Sequence, residues 1–480
     1  MGRILLSTFT GGALLFATCA SASGFDPKPW LADLEQARQA FRLKYANWSW
    51  VESEREVKID RLFDESADRL RKAADEGQAR AVFDRIASKL ADGHVEFDWP
   101  APSPSIGGAA PEPPDLCDSI GYDSRQNAPG VGQSLPGYQP LPASTDVLAA
   151  GIVISGGHTV GVLRIGVFQP EGFPDLCRAA SRSLRIPEQA KCDDACRETI
   201  SGWAYDHLAL ILEERLRQLK VARAETLLVD ITHNGGGSEW AEAVARVLTP
   251  KLLLSERLGF VRGEHWATHW RQIAKDLRSY ASTASPPDRK QLLELAAQAD
   301  AALAEANATC SSHSCDRIGK AGFSTGLVGA SRSGALSGKK WAPDVFSPSQ
   351  YHDHDGVWDG PLIVLVDQET WSAAEEFAAI LQDNSIAVVM GARTGGAGCG
   401  HTDGGTPTTL TNSRAILKLP DCVRFRADGS NEVRGILPDV VLASRANDGL
   451  RFRAELLAAK LPAAIEQAKL LHGTKAAHAQ

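Results

Sequence analysis

Two short apolar segments constrain the fold of this chain more than any other feature of its sequence. Thr226–Asp230 and Leu362–Val366 are rich in Leu and Val, and each is followed by a loop and then by a helix-forming segment. Continuous apolar runs of this length are typical of strands buried on both faces of a sheet. Strands that alternate with helices indicate parallel pairing through crossover connections. We therefore expect an α/β core.

The rest of the chain divides into regions with different residue patterns. Residues 23–98 have a helical spacing of apolar residues and predict an N-terminal bundle of three short helices. Residues 99–157 are rich in Pro and Gly and predict an irregular linker. Residues 158–445 form the predicted core, with a helical hairpin inserted at about 264–310. Residues 446–480 are expected to form a C-terminal helix and tail.

The first 22 residues have the pattern of a signal peptide. Arg3 gives a cationic start, Leu5–Ala17 is largely apolar, and Ala20-Ser-Ala22 has the small residues of a cleavage site. The apolar stretch is too short for a membrane span. We expect an exported protein, periplasmic or secreted, with no stable membrane insertion.

The cysteine count agrees with export. Of nine cysteines, Cys19 lies in the predicted signal peptide, which leaves an even number. An even number in an exported chain favours disulfides, although spacing alone does not fix the pairing and free thiols stay an alternative. Two local pairs are predicted, Cys310 with Cys315 and Cys399 with Cys422. The chain has no CxxC pair, which argues against a zinc site.

Charge gives little information about partners. The formal net charge is −8, and no long basic run occurs, so the sequence does not favour a nucleic-acid partner.

Ser372 stands at a position that suits a nucleophile. It follows the predicted strand Leu362–Val366 and begins a helix that extends to Leu381. The free N–H groups at a helix N-terminus favour negative charge, which develops on such an oxygen during acyl transfer. Serine is also a common N-cap residue, so this segment alone is compatible with simple capping.

A glycine-rich loop follows the other predicted strand. Asn234 is followed by Gly235, Gly236 and Gly237, which leave backbone N–H groups accessible to a ligand. An oxyanion hole requires such donors, although a plain flexible turn has the same composition. The loop is not a phosphate-binding P-loop, because the Lys and Ser/Thr of that motif are absent.

Four ordered motifs resemble the superfamily of tail-specific, or C-terminal processing, serine peptidases, which includes the tricorn core. They are the loop Asp230–Gly237, the nucleophile helix Ser372–Glu375, the segment Gly391–Gly396 and the segment Glu432–Asp439. The resemblance implies a crotonase/ClpP-like spiral core with an N-terminal helical bundle and the helical-hairpin insertion. It also implies hydrolysis without a metal or an organic cofactor.

The base differs from that of most processing peptidases. Those enzymes have a Ser–Lys dyad with the lysine about 25 positions after the serine, and this chain has Ala397 there. The tricorn-like branch uses a histidine at the end of the N-terminal bundle, and the match here is His94, after Asp92 and Gly93. An imidazole can take a proton from Ser372 and return it to a leaving amine near neutral pH.

The resemblance assigns the remaining site residues. Glu432 matches the carboxylate that would stabilise the imidazolium, directly or through a water or hydroxyl. Gly93 stands where the tricorn branch has a serine, so the link between His94 and Glu432 is left open. The oxyanion would be held by the backbone N–H of Ala373 and that of Gly235 or Gly236.

Other histidines are weaker candidates. His265 and His269 have metal-ligand spacing on a helix, but Trp266 stands where a zinc peptidase has its glutamate, so a packing face is the expected role. The segment His352–Asp355 offers no regular geometry for metal ligands. His401 lies close after the missing lysine and is a reserve candidate for the base.

The sequence therefore predicts an exported serine peptidase that acts on peptides or unfolded proteins through an acyl-enzyme on Ser372, with His94 as base. Two alternatives stay open: a non-catalytic ligand-binding protein on the same fold, and a hydrolase of non-peptide esters or amides. No peptide-binding PDZ module is recognised between His94 and Val160. The oligomeric state is not predicted.

Overall fold

The structure, a computed structural model, describes residues 25–100, 115–143, 147–187, 189–308, 317–336, 338–402, 405–445 and 447–476. The predicted signal peptide at 1–22 and the predicted pair Cys310–Cys315 lie outside the described residues.

The N-terminal bundle has four helices, α1 (Lys28–Lys44), α2 (Trp48–Glu54), α3 (Ile59–Leu70) and α4 (Glu76–Leu90). Three were expected, and α2 was missed because an element of seven residues is too short for an apolar period to repeat. The apolar stripes of α1, α3 and α4 are buried against each other in one core cluster. The bundle ends in a short strand, β1 (Glu96–Asp98).

The rest of the chain contains both strands and helices. In chain order its elements are α5 (Leu116–Ser119), β2 (Gln139–Pro140), β3 (Ala150–Ser155), β4 (His158–Arg164), α6 (Pro174–Leu184), α7 (Asp194–Val221), β5 (Thr226–Asp230), α8 (Trp240–Val247), β6 (Arg257–Val261), α9 (Glu264–Thr283), α10 (Pro286–Asn307), β7 (Ile318–Phe323), α11 (Ala342–Val345), β8 (Leu362–Val366), α12 (Ala373–Asp383), β9 (Ala387–Gly391), β10 (Thr408–Thr409), β11 (Ile416–Lys418), β12 (Cys422–Phe425), β13 (Val440–Val441) and α13 (Leu450–Ala476).

A seven-stranded sheet forms the centre, in the order β13-β9-β8-β5-β4-β3-β2. Within this sheet, β4, β5, β8, β9 and β13 pair in parallel. The strands β2 and β3 pair antiparallel at one edge. Leu227 and Val229 share a core cluster with residues of α7, α8 and α12, whereas Leu228 shares a cluster with residues of α13. The sheet is therefore covered on both faces, and the predicted α/β class is confirmed.

The predicted linker contains regular structure. β3 lies inside the range 99–157, which the Pro/Gly-rich composition marked as irregular, and pairs with β4 over six residues. The strand was missed because its flanks dominate the local composition. How the chain divides into domains stays a prediction.

Two small sheets flank the centre, in the orders β1-β11-β10 and β12-β6-β7. The helical hairpin of α9 and α10 breaks at the predicted Pro286 and packs near the second of these sheets. On α9, Trp266 and Trp270 are buried, in agreement with the predicted packing face.

Among the described residues, disulfides join three cysteine pairs. Cys399–Cys422 was predicted, and Cys117–Cys177 and Cys192–Cys196 are additional. Among the described helices, none combines the length and the apolar character needed to cross a lipid bilayer.

Candidate active site

Ser372 occupies a sharp turn between β8 and α12. Its backbone angles are φ +55° and ψ −122°, a conformation that is rare for any residue except glycine. The N–H of the preceding Trp371 donates to the carbonyl of Asn234, 2.9 Å away, which ties this turn to the glycine-rich loop. The strained turn therefore presents the hydroxyl at the carboxyl end of a parallel sheet, where ligands of α/β folds usually bind.

His94 is held by the end of the N-terminal bundle. Ala91 closes α4 in the left-handed conformation, and the buried Asp92 follows. Asp92 accepts hydrogen bonds from the hydroxyl of Tyr45 at 2.8 Å, the side-chain amide of Asn47 at 2.9 Å and the N–H of His94 at 3.1 Å. The carboxylate thus fixes the turn that carries the imidazole.

The two predicted residues meet although they are 278 positions apart. His94 Nε2 lies 3.1 Å from Ser372 Oγ, and Nδ1 lies 2.8 Å from the carbonyl oxygen of Ala397. A carbonyl oxygen can only accept, so Nδ1 must carry the proton. Nε2 is then the unprotonated nitrogen, which can take the proton of the serine hydroxyl.

Glu375 connects Ser372 to the loop that contacts His94. Its buried carboxylate accepts from the N–H of Ser372 at 3.1 Å, and from the N–H groups of Gly396 and Ala397, both at 2.8 Å. It also accepts from the hydroxyl of Thr394 at 2.5 Å. Burial is the main reason why the pKa of Glu375 is raised to about 7. One carboxylate therefore fixes the backbone on both sides of the Ser372–His94 pair.

The glycine-rich loop lies directly against the nucleophile. A Cβ atom at Gly236, where φ is +107°, would lie 2.8 Å from the Cβ of Ser372 and 3.0 Å from the nitrogen of Ala373. The N–H of Gly236 is already bonded to Asn234 Oδ1 at 2.8 Å. Within the described part of the chain, the N–H groups of Gly235 and Ala373 donate to no acceptor. Of the predicted donors, those two are free to bind an oxyanion.

The direct partner of Glu432 is Arg424. Its carboxylate binds Arg424 through two hydrogen bonds, Nε to Oε2 at 2.5 Å and Nη2 to Oε1 at 2.7 Å. Arg424 Nη2 also donates to the carbonyls of Ser372 at 3.1 Å and Gly398 at 2.9 Å. His94 Nδ1 contacts the carbonyl of Ala397, and among the described residues Glu432 is linked to Ser372 through Arg424. A link from Glu432 to the imidazole stays a prediction.

Two further buried acids surround Arg424. Glu376 Oε2 lies 3.3 Å from Nη1, and Glu256 Oε2 lies 3.6 Å from Nε. Burial raises the pKa of Glu376 to about 8, and burial together with Glu432 raises the pKa of Glu256 well above its usual value. Burial would also raise the pKa of Glu432, but the Arg424 guanidinium outweighs it and holds that pKa below its usual value.

The other histidines have separate partners. His401 lies beside His94, with 5.8 Å between ring centroids, and burial lowers its pKa. His265 pairs with Asp421 at 3.2 Å. In the segment His352–Asp355, both histidines pair with acids of α7. Among the described residues, no three His, Cys, Asp or Glu side chains form a group that could hold a metal ion.

The sequence did not reveal two parts of this arrangement. The group that orients His94 is the backbone carbonyl at position 397. Every residue type has such a carbonyl, so the sequence could not indicate it. Arg424 had a weak signal, because it is a charged residue inside the short apolar strand Cys422–Phe425. A charge in a buried strand requires a buried partner, and that partner is Glu432.

Comparison with known proteins gives a family match, a relative that matches over part of its length, and solved structures of similar fold. Residues 207–442 match the model of peptidase family S41. Over 117 residues the chain is 32% identical to an uncharacterized protein of Chlamydia muridarum (strain MoPn / Nigg), which covers 23% of this chain and only 18% of that protein.

The similar structures extend over nearly the whole chain. The crystal structure of mature CPAF has 15% identity and a TM-score of 0.60, and covers 92% of this chain and 98% of CPAF. The structure of mature CPAF complexed with lactacystin has 16% identity and a TM-score of 0.55, and the match covers 93% of this chain and 99% of the CPAF chain. At identities this low, the comparison shows only that the folds are similar.

Proposed function

Because the chain belongs to peptidase family S41, a family of serine-type peptidases, we propose that it is an exported serine peptidase with Ser372 as nucleophile and His94 as general base. One observation carries the proposal: His94 Nε2 lies 3.1 Å from Ser372 Oγ, while Nδ1 is bonded to a carbonyl that can only accept. The disulfides agree with export, since such bonds persist in oxidising compartments.

The first half of the reaction forms the acyl-enzyme. Ser372 Oγ attacks the peptide carbonyl carbon as its proton moves to His94 Nε2, and Nδ1–H stays bonded to Ala397. The oxyanion of the tetrahedral intermediate is held by the N–H groups of Gly235 and Ala373. The intermediate collapses when Nε2–H gives its proton to the leaving amine, which breaks the C–N bond and leaves the acyl group on the serine.

The second half repeats these roles with water. His94 Nε2 takes a proton from a water molecule, whose oxygen attacks the ester carbonyl in the same oxyanion site. Collapse of the second intermediate breaks the ester bond, and Nε2–H returns the proton to Ser372 Oγ. The carboxylic acid product leaves and the starting state is restored. Glu432 serves as a positioning residue that holds Arg424, and Arg424 holds the carbonyl of the nucleophile.

Two variants and one control test the proposal. Ser372→Ala and His94→Ala are each expected to lower the turnover of an unfolded protein substrate by about 10³-fold or more. The control His401→Ala, which removes the neighbouring imidazole, is expected to retain turnover. Full turnover by both variants would contradict the mechanism.

Covalent labelling separates the alternatives. A fluorophosphonate probe is expected to label the wild-type protein at Ser372 and to label His94→Ala much more slowly. An unlabelled wild-type protein would favour a non-catalytic binding protein. Labelling together with cleavage of small esters, but not of peptides, would favour a non-peptide hydrolase.

A further inference from the structure

A cavity of about 530 Å³ opens between the N-terminal bundle and the core. Helix α2 contributes Trp50 and Glu54 to its wall, and Arg55 follows directly after this helix. The core contributes the segment 393–395 and Arg434. Ligand sites commonly have volumes of about 300–1,000 Å³, so this cavity has the size of a binding site. We call it the arginine pocket.

The arginine pocket has an excess of positive charge. Three of its lining residues are arginines, and Glu54 is the one acid among them. Glu54 is paired with Arg434 at 2.7 Å. In the described part of the chain, Arg55 and Arg393 form no ion pair with a carboxylate, and the guanidinium of Arg55 lies over the ring of Trp50, 4.7 Å from its centroid. Two guanidinium groups are thus available to an anion.

The pocket is separated from the catalytic pair by one side chain. Gly395, in the pocket wall, lies so close to Trp371 that a Cβ there would be 1.8 Å from the indole Nε1. On the other side of the same indole, a Cβ at Gly93 would be 3.2 Å from Cε3. Gly93 adjoins His94, and Trp371 adjoins Ser372. The indole, which is 41% exposed, therefore extends from the site to the pocket.

We propose that the arginine pocket binds a carboxylate of the peptide substrate, with Arg393 and Arg55 as donors, while Trp371 supports the segment that leads to the scissile bond. This rests on the proposed function. Guanidinium groups bind carboxylates through paired hydrogen bonds, which give both affinity and orientation. The carboxylate can come from the C-terminus of the substrate or from an acidic side chain. Either source makes the pocket a determinant of substrate choice.

The test measures binding to Ser372→Ala, so that binding does not depend on turnover. One alanine-rich octapeptide is used in four forms, with or without one internal glutamate, and with a free or an amidated C-terminus. We expect at least one carboxylate-bearing form to bind more tightly than the neutral, amidated form. Adding Arg393→Gln or Arg55→Gln should weaken the binding of that form by about 10- to 100-fold and leave the affinity for the neutral form unchanged.

A matched control is Arg451→Gln, an exposed arginine of α13 that should leave all four affinities unchanged. Preference for the free C-terminus or for the glutamate identifies the source of the carboxylate. Equal binding of all four forms, or an equal effect of Arg393→Gln on each, would overturn the proposal. Failure of the proposed function is recognised separately, as an absence of hydrolysis and of fluorophosphonate labelling in the wild-type protein.

Discussion

The carbonyl oxygen of Ala397 lies 2.8 Å from Nδ1 of His94, and Ala397 stands 25 residues after Ser372, where the Ser–Lys branch of the family has its lysine. The segment that supplies the base in that branch here contacts the imidazole of His94, the base that we propose. Its position is fixed by hydrogen bonds from the N–H groups of Gly396 and Ala397 to Glu375.

Replacing Ala397 by lysine should not restore a Ser–Lys dyad. Ala397 is buried, and a Cβ at Gly93 would lie 3.4 Å from its methyl group, so a long side chain would displace the turn that carries His94. We expect Ala397→Lys to lower kcat by about 10²-fold, since small displacements of catalytic groups have effects of this size. Ala397→Gly keeps the carbonyl and should retain most activity. The rate of peptide hydrolysis is measured for both variants. A fully active Ala397→Lys variant would contradict the proposal that the segment at Ala397 orients His94.

Two neighbouring glycines should respond differently to the same substitution. A Cβ at Gly236 would collide with Ser372, and its φ of +107° is unfavourable for alanine. At Gly235 a Cβ would meet no atom within 4 Å, and alanine keeps the N–H that we propose as an oxyanion donor. Gly236→Ala should lower kcat by about 10²-fold through displacement of Ser372, and Gly235→Ala should change it little. Equal losses in steady-state kinetics would argue against this geometry.

The sequence predicted the pairing of Ser372 with His94 because both lie in motifs of a known family. It placed the main strands because β5 and β8 are buried on both faces and therefore read as apolar runs. It did not predict the partner of Glu432, since an ion pair between distant segments leaves no periodic pattern. The four hydrogen bonds of Glu375 were also missed, because three of their donors are backbone N–H groups that every sequence supplies.

Arg424 should affect the chemical step more than substrate binding. Its Nη2 donates to the carbonyls of Ser372 and Gly398, and lysine cannot make these bonds together with the two to Glu432. We expect Arg424→Lys to lower kcat by about 10- to 100-fold with little change in KM. Arg426→Lys is the control, because the short ion pair of Arg426 is with Asp383, at 2.6 Å, and Glu256 lies farther from it, at 3.8 Å. Similar kcat values for the two variants would exclude a positioning role for Arg424.

The buried acid Glu376, whose pKa is raised, should make the protein less stable as the pH rises. Glu376 has a folded-state pKa of about 8 against a usual value of 4.5, so the folded state keeps a proton that the unfolded state releases. Its contribution to stability is complete below pH 4.5 and is lost as the pH rises to 8, with a slope of at most about 1.4 kcal/mol per pH unit for one proton.

Glu376→Gln removes this titration and keeps a similar shape. The free energy of unfolding, measured with urea between pH 5 and 8, should therefore fall less steeply in the variant. The difference between the two proteins cancels the titration of groups that do not interact with Glu376. An equal or steeper fall in Glu376→Gln would show that Glu376 is already ionised throughout this range in the folded protein.

The disulfide Cys399–Cys422 should support both stability and catalysis. Cys399 lies between Gly398, whose carbonyl binds Arg424, and Gly400, where a Cβ would lie 2.8 Å from His94 Nε2. The bridge thus fixes a turn that packs on the imidazole of His94. Replacing both cysteines by alanine should lower the free energy of unfolding by about 2–4 kcal/mol and also reduce kcat.

Cys192–Cys196 provides the matched control for this prediction. Its cysteines are 4 residues apart, against 23 for Cys399–Cys422, so this bridge constrains the unfolded chain less and its removal should cost less stability. It lies at the start of α7, in a core cluster that contains neither Ser372 nor His94. The double alanine variant at this bridge should lose less stability and keep kcat. Urea unfolding and peptide hydrolysis compare the two variants, and an unchanged kcat without Cys399–Cys422 would separate the bridge from the site.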